Sequence, residues 1–369
     1  MPTILIKDDL RRSVEAATGG QMTVLYTATK QPTYMNVFYR QNLEDIDPEL
    51  GTGVDPAFIV NGVEKSELFI GAYPGIVKNG ELISLPGVDP AASRNFDSFL
   101  TAARACGPGF HLVTNAEWMA IARWCRKNGF LPRGNTYYGR SSDVPLETGR
   151  RVDGAATGTT TGTPRTLTGS GPMAWRHNNT AGGISDLCGN VWEWLAGYRI
   201  VDGEIQIIQN NDAAAHTIDL SKTSTLWKAI RASDGALVAP GTAGTLKYDG
   251  IVAGTTGAHG APRLSDAVTV RHGTVGDDTH TPGYCSGSFE ALSVKEGLNV
   301  PNIARILGIA PPGAGLGSDS IWVRNYGERL PLAGGYYSSG ASAGVFARNL
   351  LYARAHVSGS VGARPAFFL

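Results

Sequence analysis

Three observations predict an α+β fold: two well-signalled helical patterns, many short β-branched runs, and 48 glycines and 20 prolines in 369 residues, enough to punctuate both with turns. At the N-terminus, Asp8 or Asp9 caps a short helix that stops at Gly19–Gly20, and MTVLYTAT and YMNVFYR follow as strands by their alternation. Residues 1–55 therefore form a small mixed segment. DPAASRNFDSFLTAARAC then has a capping Asp89, a first-turn proline and a stop at Gly107, which predicts a helix from residue 89 to 106. A second helix is announced by the capping box of Thr114 and Glu117. Trp118, Ile121, Ala122 and Cys125 share the face it buries, and Gly129 ends it.

Residues 135–171 read as a loop insertion. Its glycine- and threonine-rich half, 154–171, has neither periodicity nor the Lys-Ser/Thr ending of a phosphate cradle. From residue 198 to 318, short runs such as EIQIIQ, TLWKAI, ALVAP and TLKYDG alternate with Gly and Pro turns, so a β-rich insertion is expected. No fixed period recurs, which argues against a solenoid or propeller.

Composition excludes several classes of function. The 32 basic and 32 acidic residues cancel, leaving no field to draw a phosphate backbone or anionic lipid, so nucleic acid is not an expected partner. No run reaches the roughly 18 apolar residues of a membrane helix, so no membrane insertion is expected. The first twenty residues lack the apolar centre of a signal peptide, and synthesis in the cytoplasm is expected, with export only as part of a larger particle. Cys106, Cys125, Cys188 and Cys285 lack both CxxC spacing and a disulfide rhythm, which predicts buried free thiols.

GGISDLCGNVWEWLAGY, residues 182–198, is the most specific string in the middle of the chain. Trp192 and Trp194 flank Glu193, so a strand here sends both indoles to one face, to be buried, and the carboxylate toward polar partners on the other. With HLVTNAEWMAIARW upstream, Gly334–Gly335 downstream and a terminal GARPA, the string resembles the formylglycine-generating-enzyme branch of the C-type lectin fold. The blocks occur in the family's order: His111 to Trp124, Gly183 to Trp194, Gly334–Gly335 and Gly362 to Ala366, with Ala363 in place of the usual aromatic. The resemblance implies a C-type-lectin-type domain over residues 56–369 that carries both insertions.

The catalytic chemistry of that branch does not come with the resemblance. Its oxidases bind copper through a cysteine pair between the Gly-Gly block and the terminal block, and residues 334–366 contain no cysteine. The HxxxHxE string of a related non-haem-iron branch is also missing. The expectation is therefore a protein that is not an enzyme and requires no cofactor.

In place of the cysteines stands GGYYSSGASAGVFARNLLYARAHVSGSVGARPAFFL, residues 334–369, which resembles the variable region of proteins diversified by retroelements, among them a phage tropism determinant. Gly340, Ala343, Gly344, Val345, Phe346, Ala353, Arg354, Gly362, Arg364, Pro365 and Ala366 match the family's fixed frame. The positions that the resemblance assigns to variation, and so to ligand binding, are Tyr336, Tyr337, Ser338, Ser339, Ala341, Ser342, Arg348, Leu351, Tyr352, Ala355, His356, Ser358 and Ser360. Adenine mutagenesis of an AAC codon cannot produce Lys, Glu, Gln, Met or Trp, and none of the five occurs from Gly334 onward. Stiff amphipathic Tyr beside small Ser and Ala is also paratope chemistry. Taken without the resemblance, the same stretch reads as a terminal β-hairpin with tyrosines in a core. Against that, adjacent tyrosines must point to opposite faces of a strand.

The sulfatase-modifying relatives hold calcium in the places of Asp186, Gly189, Val191 and Glu193, through two side chains and two carbonyls, and oxygen ligands of this kind suit calcium. By the residues themselves, Asp186 equally caps a turn and Glu193 accepts buried hydrogen bonds. His272, Asp277, Asp278, His280 and Cys285 form a second polar cluster whose spacing matches no metal pattern, and a polar turn is expected there.

Three functions follow as expectations. The first is a phage or prophage receptor-binding protein, virion-associated, that recognises a macromolecular receptor on a target cell through several displayed copies. The second is a cell-surface diversified binder, which needs an export signal. The third is a sulfatase-modifying-type enzyme, which needs the missing cysteines.

Overall fold

A computed structural model describes residues 8–279 and 282–369, so the first seven residues of the N-terminal segment lie outside the description, as does His280. The architecture is α+β, rich in strands and poor in helices. Among the described residues a five-stranded and a fourteen-stranded sheet dominate. The helix Asp9–Thr18 starts on Asp8, whose side chain accepts from the Arg11 backbone, and ends on Gly19 in the left-handed region at φ 60°. Asn115–Lys127 starts on Thr114 with both bonds of the capping box formed, and Trp118, Ile121, Ala122 and Cys125 lie in the core.

The helix expected at 89–106 is shorter and occupies Phe96–Ala105, capped by Asn95 rather than Asp89. Tertiary bonds claim the preceding residues: Ala91 N–H donates to Gly75 O, Ser93 N–H to Ser358 O, and both oxygens of Asp89 accept from Arg165. These bonds, with Ser93 at φ 58°, hold the stretch outside a regular helix.

The five-stranded sheet runs in the order Met22–Tyr26, Pro32–Tyr39, Glu67–Gly71, Pro365–Phe367, Phe110–Leu112, antiparallel throughout. Pro32–Tyr39 pairs with Glu67–Gly71 across the sequence boundary drawn at residue 55, and Phe38 and Leu68 share one core with Trp118 and Phe346. Strands of the 198–318 stretch extend the larger sheet: Tyr198–Val201 pairs with Glu328–Ala333, and Ile200, Ile205, Leu264 and Phe289 enter the same core. The stretch is a continuation of the sheet, with its apolar residues spent on the common interior.

The C-terminal residues thread both sheets. Arg348–Tyr352 lies between Ser320–Val323, parallel, and Glu328–Ala333, antiparallel. Val361–Gly362 pairs with Trp192–Trp194, and Pro365–Phe367 is a central strand of the smaller sheet. The tail is thus no isolated terminal hairpin. No helix among the described residues is long and apolar enough to cross a membrane.

Candidate ligand-binding surface

The fixed residues of the tail are held before any surface is built on them. Gly334 and Gly335, at φ 92° and 90°, turn the chain out of the Glu328–Ala333 strand, and a Cβ on Gly335 would lie 2.4 Å from that of Ala343. The Trp118 indole N–H donates to Val345 O at 2.7 Å, tying the Asn115–Lys127 helix to the tail. Phe346 is fully buried, and its backbone N–H donates to Asp319 Oδ2 at 2.7 Å. Burial raises the Asp319 carboxyl to about 7, with the Phe346 N–H and the Arg348 charge pulling the other way. Arg354 bridges Glu328 at 3.0 Å and Asp97 at 2.6 Å, clamping the loop that follows Tyr352.

Arg364 closes the frame. Its Nε donates to Glu193 Oε2 at 3.0 Å and one Nη to Oε1 at 2.6 Å, while its other nitrogen bonds reach the carbonyls of Gly71 and Ser185. Trp192 and Trp194 are buried as their alternation predicted, and Glu193 turns to this guanidinium. Of the four expected calcium ligands, the two that would use side chains both have internal hydrogen-bond partners. Both Glu193 oxygens are engaged by a fixed internal cation. Asp186 Oδ2 accepts from Gly169 N at 2.8 Å, and burial pushes its carboxyl upward, toward the neutral acid. Gly189 and Val191 remain turn and core residues of the same string.

Of the thirteen positions assigned to variation, twelve are exposed or part-exposed, whereas nine of the eleven frame residues are buried, Gly340 and Arg354 being the two others. The thirteenth, Arg348, is corrected: at 1% exposure it cannot face a partner. It opens a central strand, and its side chain runs inward past Met119 to the carbonyls of Val345 and Ala347. Burial lowers its pKa to about 10.

Tyr336, Tyr337, Ser338, Ser339, Ala341 and Ser342 form one turn, Ala341 exposed and the others part-exposed, with Ser339 Oγ accepting from the Tyr336 N–H at 3.1 Å. Leu351 and Tyr352 end the central strand, and Ala355, His356, Ser358 and Ser360 occupy the loop beyond it, where Tyr352 and His356 stack at 3.8 Å. Aromatic contacts join the turn to its supports: Tyr336 lies on Trp192 at 6.4 Å and meets Tyr337 at 5.1 Å. Three contributors lie outside the tail, Tyr138 nearly two hundred residues before it and Trp322 and Arg324 shortly before it. The Tyr138 ring is 6.0 Å from Tyr337 and its N–H donates to Tyr337 O, Trp322 meets Trp192 at 5.6 Å, and the Arg324 guanidinium lies 6.0 Å from the Tyr352 ring. The loop 135–171 thereby flanks the surface, and Arg165 within it donates to Gly359 O at 2.8 Å. Only the neighbouring Tyr137–Tyr138 pair in a polar loop hinted at this in the sequence.

Beside the turn lies a cleft of about 260 Å³, walled by Asp143, Cys188, Asp319 and the Gly340–Val345 segment. All four cysteines are free and buried, and burial raises every thiol, Cys106 and Cys285 to about 12, which suits packing rather than nucleophilic chemistry. In the second polar cluster, His272 Nδ1 bonds Gly254 O, Cys285 Sγ points at Val323 O, and Asp278 accepts from Lys222 and the Glu328 N–H. Among the described residues no group of three or more His, Cys, Asp or Glu is placed to hold a metal. Comparison of the chain with protein-family models and with curated proteins gives no match.

Proposed function

We propose that this protein is a receptor-binding protein whose surface over residues 336–360 is diversified by a retroelement, on a scaffold of the C-type lectin type. The observation that carries the reading is the segregation within the tail. Twelve of the thirteen positions assigned to variation are exposed or part-exposed, and nine of the eleven assigned to the frame are buried, several bonded to distant parts of the chain. A surface of this kind tolerates side-chain replacement because its backbone is fixed from beneath. It binds by shape and aromatic contact, without catalysis and without a cofactor. The ligand is a macromolecule on a target cell, the setting a phage or prophage particle, and display in several copies multiplies modest single-site affinity.

The test exchanges residues 336–360, keeping the frame and Arg348, among natural or synthetic variants and measures both target-cell binding and melting temperature. Binding should move between targets while the melting temperature stays nearly constant. Identical targets for all variants would remove the proposal.

A further inference from the structure

We propose that the cleft beside the 336–342 turn takes a lysine side chain of the receptor, with the ammonium seated on Asp319. The cleft, about 260 Å³, lies among residues 131–143, residues 317–319 and the 340–345 segment. Ala341 is the one position assigned to variation that lines it, so its chemistry belongs to the fixed scaffold.

A nearly buried carboxylate presents one unpaired oxygen here. Asp319 is 5% exposed, and its Oδ2 accepts from the Phe346 N–H at 2.7 Å. Oδ1 accepts no hydrogen bond among the described residues, yet it is not one of the polar atoms sealed from solvent, so a ligand can reach it. Gly344 keeps the space beside it clear, since a Cβ there would lie 2.0 Å from Oδ1. Burial and the Asp143 charge raise the Asp319 carboxyl to about 7 against the pull of the Phe346 and Ala347 N–H groups and Arg348. The ionised form is thus short of positive charge.

The other charges leave the cleft negative. Asp143 is exposed, accepts from Ser142 Oγ, and pairs with no cation among the described residues. Arg133 is committed to both oxygens of Glu147. Burial keeps the Cys188 thiol neutral, and the Arg348 guanidinium turns to the Val345 and Ala347 carbonyls. A guanidinium binds best to both oxygens of a carboxylate, and Phe346 already holds one of these two, whereas an ammonium is a point charge that needs one. Leu131, Pro132 and Val345 line the same cleft and suit the methylene stem of lysine.

The probe is Nα-acetyl-lysine methylamide, titrated into the full chain by calorimetry while the carboxyl carbon of Asp319 is followed by NMR. Saturable binding is expected, with a Kd on the order of 1 mM. The probe stays protonated from pH 6 to 8 while Asp319 ionises, so binding should be about tenfold tighter at pH 8, and saturation should lower the Asp319 pKa. The norleucine analogue, with the stem and no charge, should not bind. The arginine analogue and glucosamine, an ammonium on a polyol ring, should each bind at least about fivefold more weakly. Asp319→Asn should abolish the pH dependence, and Asp143→Asn, at an exposed position, should weaken binding about twofold and keep it. Absence of saturable binding, a flat pH profile in the wild type, or equal affinity for any of the three analogues would overturn the proposal. The lysine is assigned to the receptor on the reading above, but the two fail separately. An inert probe leaves the exchange of residues 336–360 untouched, and failure of that exchange leaves a lysine-binding cleft.

Discussion

Arg364 donates to both carboxylate oxygens of Glu193, at 3.0 and 2.6 Å, and the two side chains are essentially inaccessible to solvent. The pair joins the tail to the Trp192–Trp194 strand, so that the surface above it inherits the rigidity of the core. Removing one member leaves a buried charge without its partner, which is far costlier than removing both.

Arg364→Met is therefore expected to lower stability by about 3–5 kcal/mol. Adding Glu193→Gln to that variant should recover part of the loss. Urea unfolding of the two variants measures the difference, and equal stabilities would mean the pair is not coupled.

Calcium should not stabilise the protein, because the guanidinium already engages the Glu193 oxygens that a metal would need. The melting temperature is expected to be the same with excess calcium and with excess chelator. A reproducible upward shift with calcium would place a metal where the ion pair stands.

Frame and surface positions should differ in their tolerance of substitution. A Cβ on Gly344 would lie 2.0 Å from Asp319 Oδ1, and Asp319 is held by its bond to the Phe346 N–H. Gly344→Ala is expected to cost about 1–3 kcal/mol through overpacking. Ala355→Tyr, on an exposed loop, should change stability by no more than about 0.5 kcal/mol. Thermal denaturation of both variants checks the contrast.

Asp319 gives the tail a pH signature. Its carboxyl rises from 3.8 to about 7 on folding, chiefly through burial, so between those values the folded chain holds a proton that the unfolded chain has released. The contribution to stability is full below 3.8 and is lost as pH rises through about 7. Asp319→Asn cannot ionise and should gain on the wild type over that interval, with no further change above it. Urea midpoints at a series of pH values test this, and parallel profiles for the two proteins would contradict it.

Local chemistry made much of the fold legible. The capping box at Thr114 and Glu117, the one-sided Trp118, Ile121, Ala122 and Cys125, and the alternation of Trp192, Glu193 and Trp194 each specify their element from residues a few positions apart. Asp89 misled for the opposite reason. It has the composition of a cap, but bonds to residues tens or hundreds of positions away hold its segment outside a helix.

The candidate surface divides in the same way. The sequence by itself determined the spacing of glycines, small residues and tyrosines from Gly334 onward, because turn geometry and side-chain size are local properties. Only the tertiary structure decided that Arg348 turns inward, that Tyr138, Trp322 and Arg324 pack beside or beneath the surface, and that Arg364 meets Glu193. Each of these depends on which strands become neighbours. Strand pairing is set by burying one shared core across hundreds of residues, a global free-energy minimum that no window of the sequence contains.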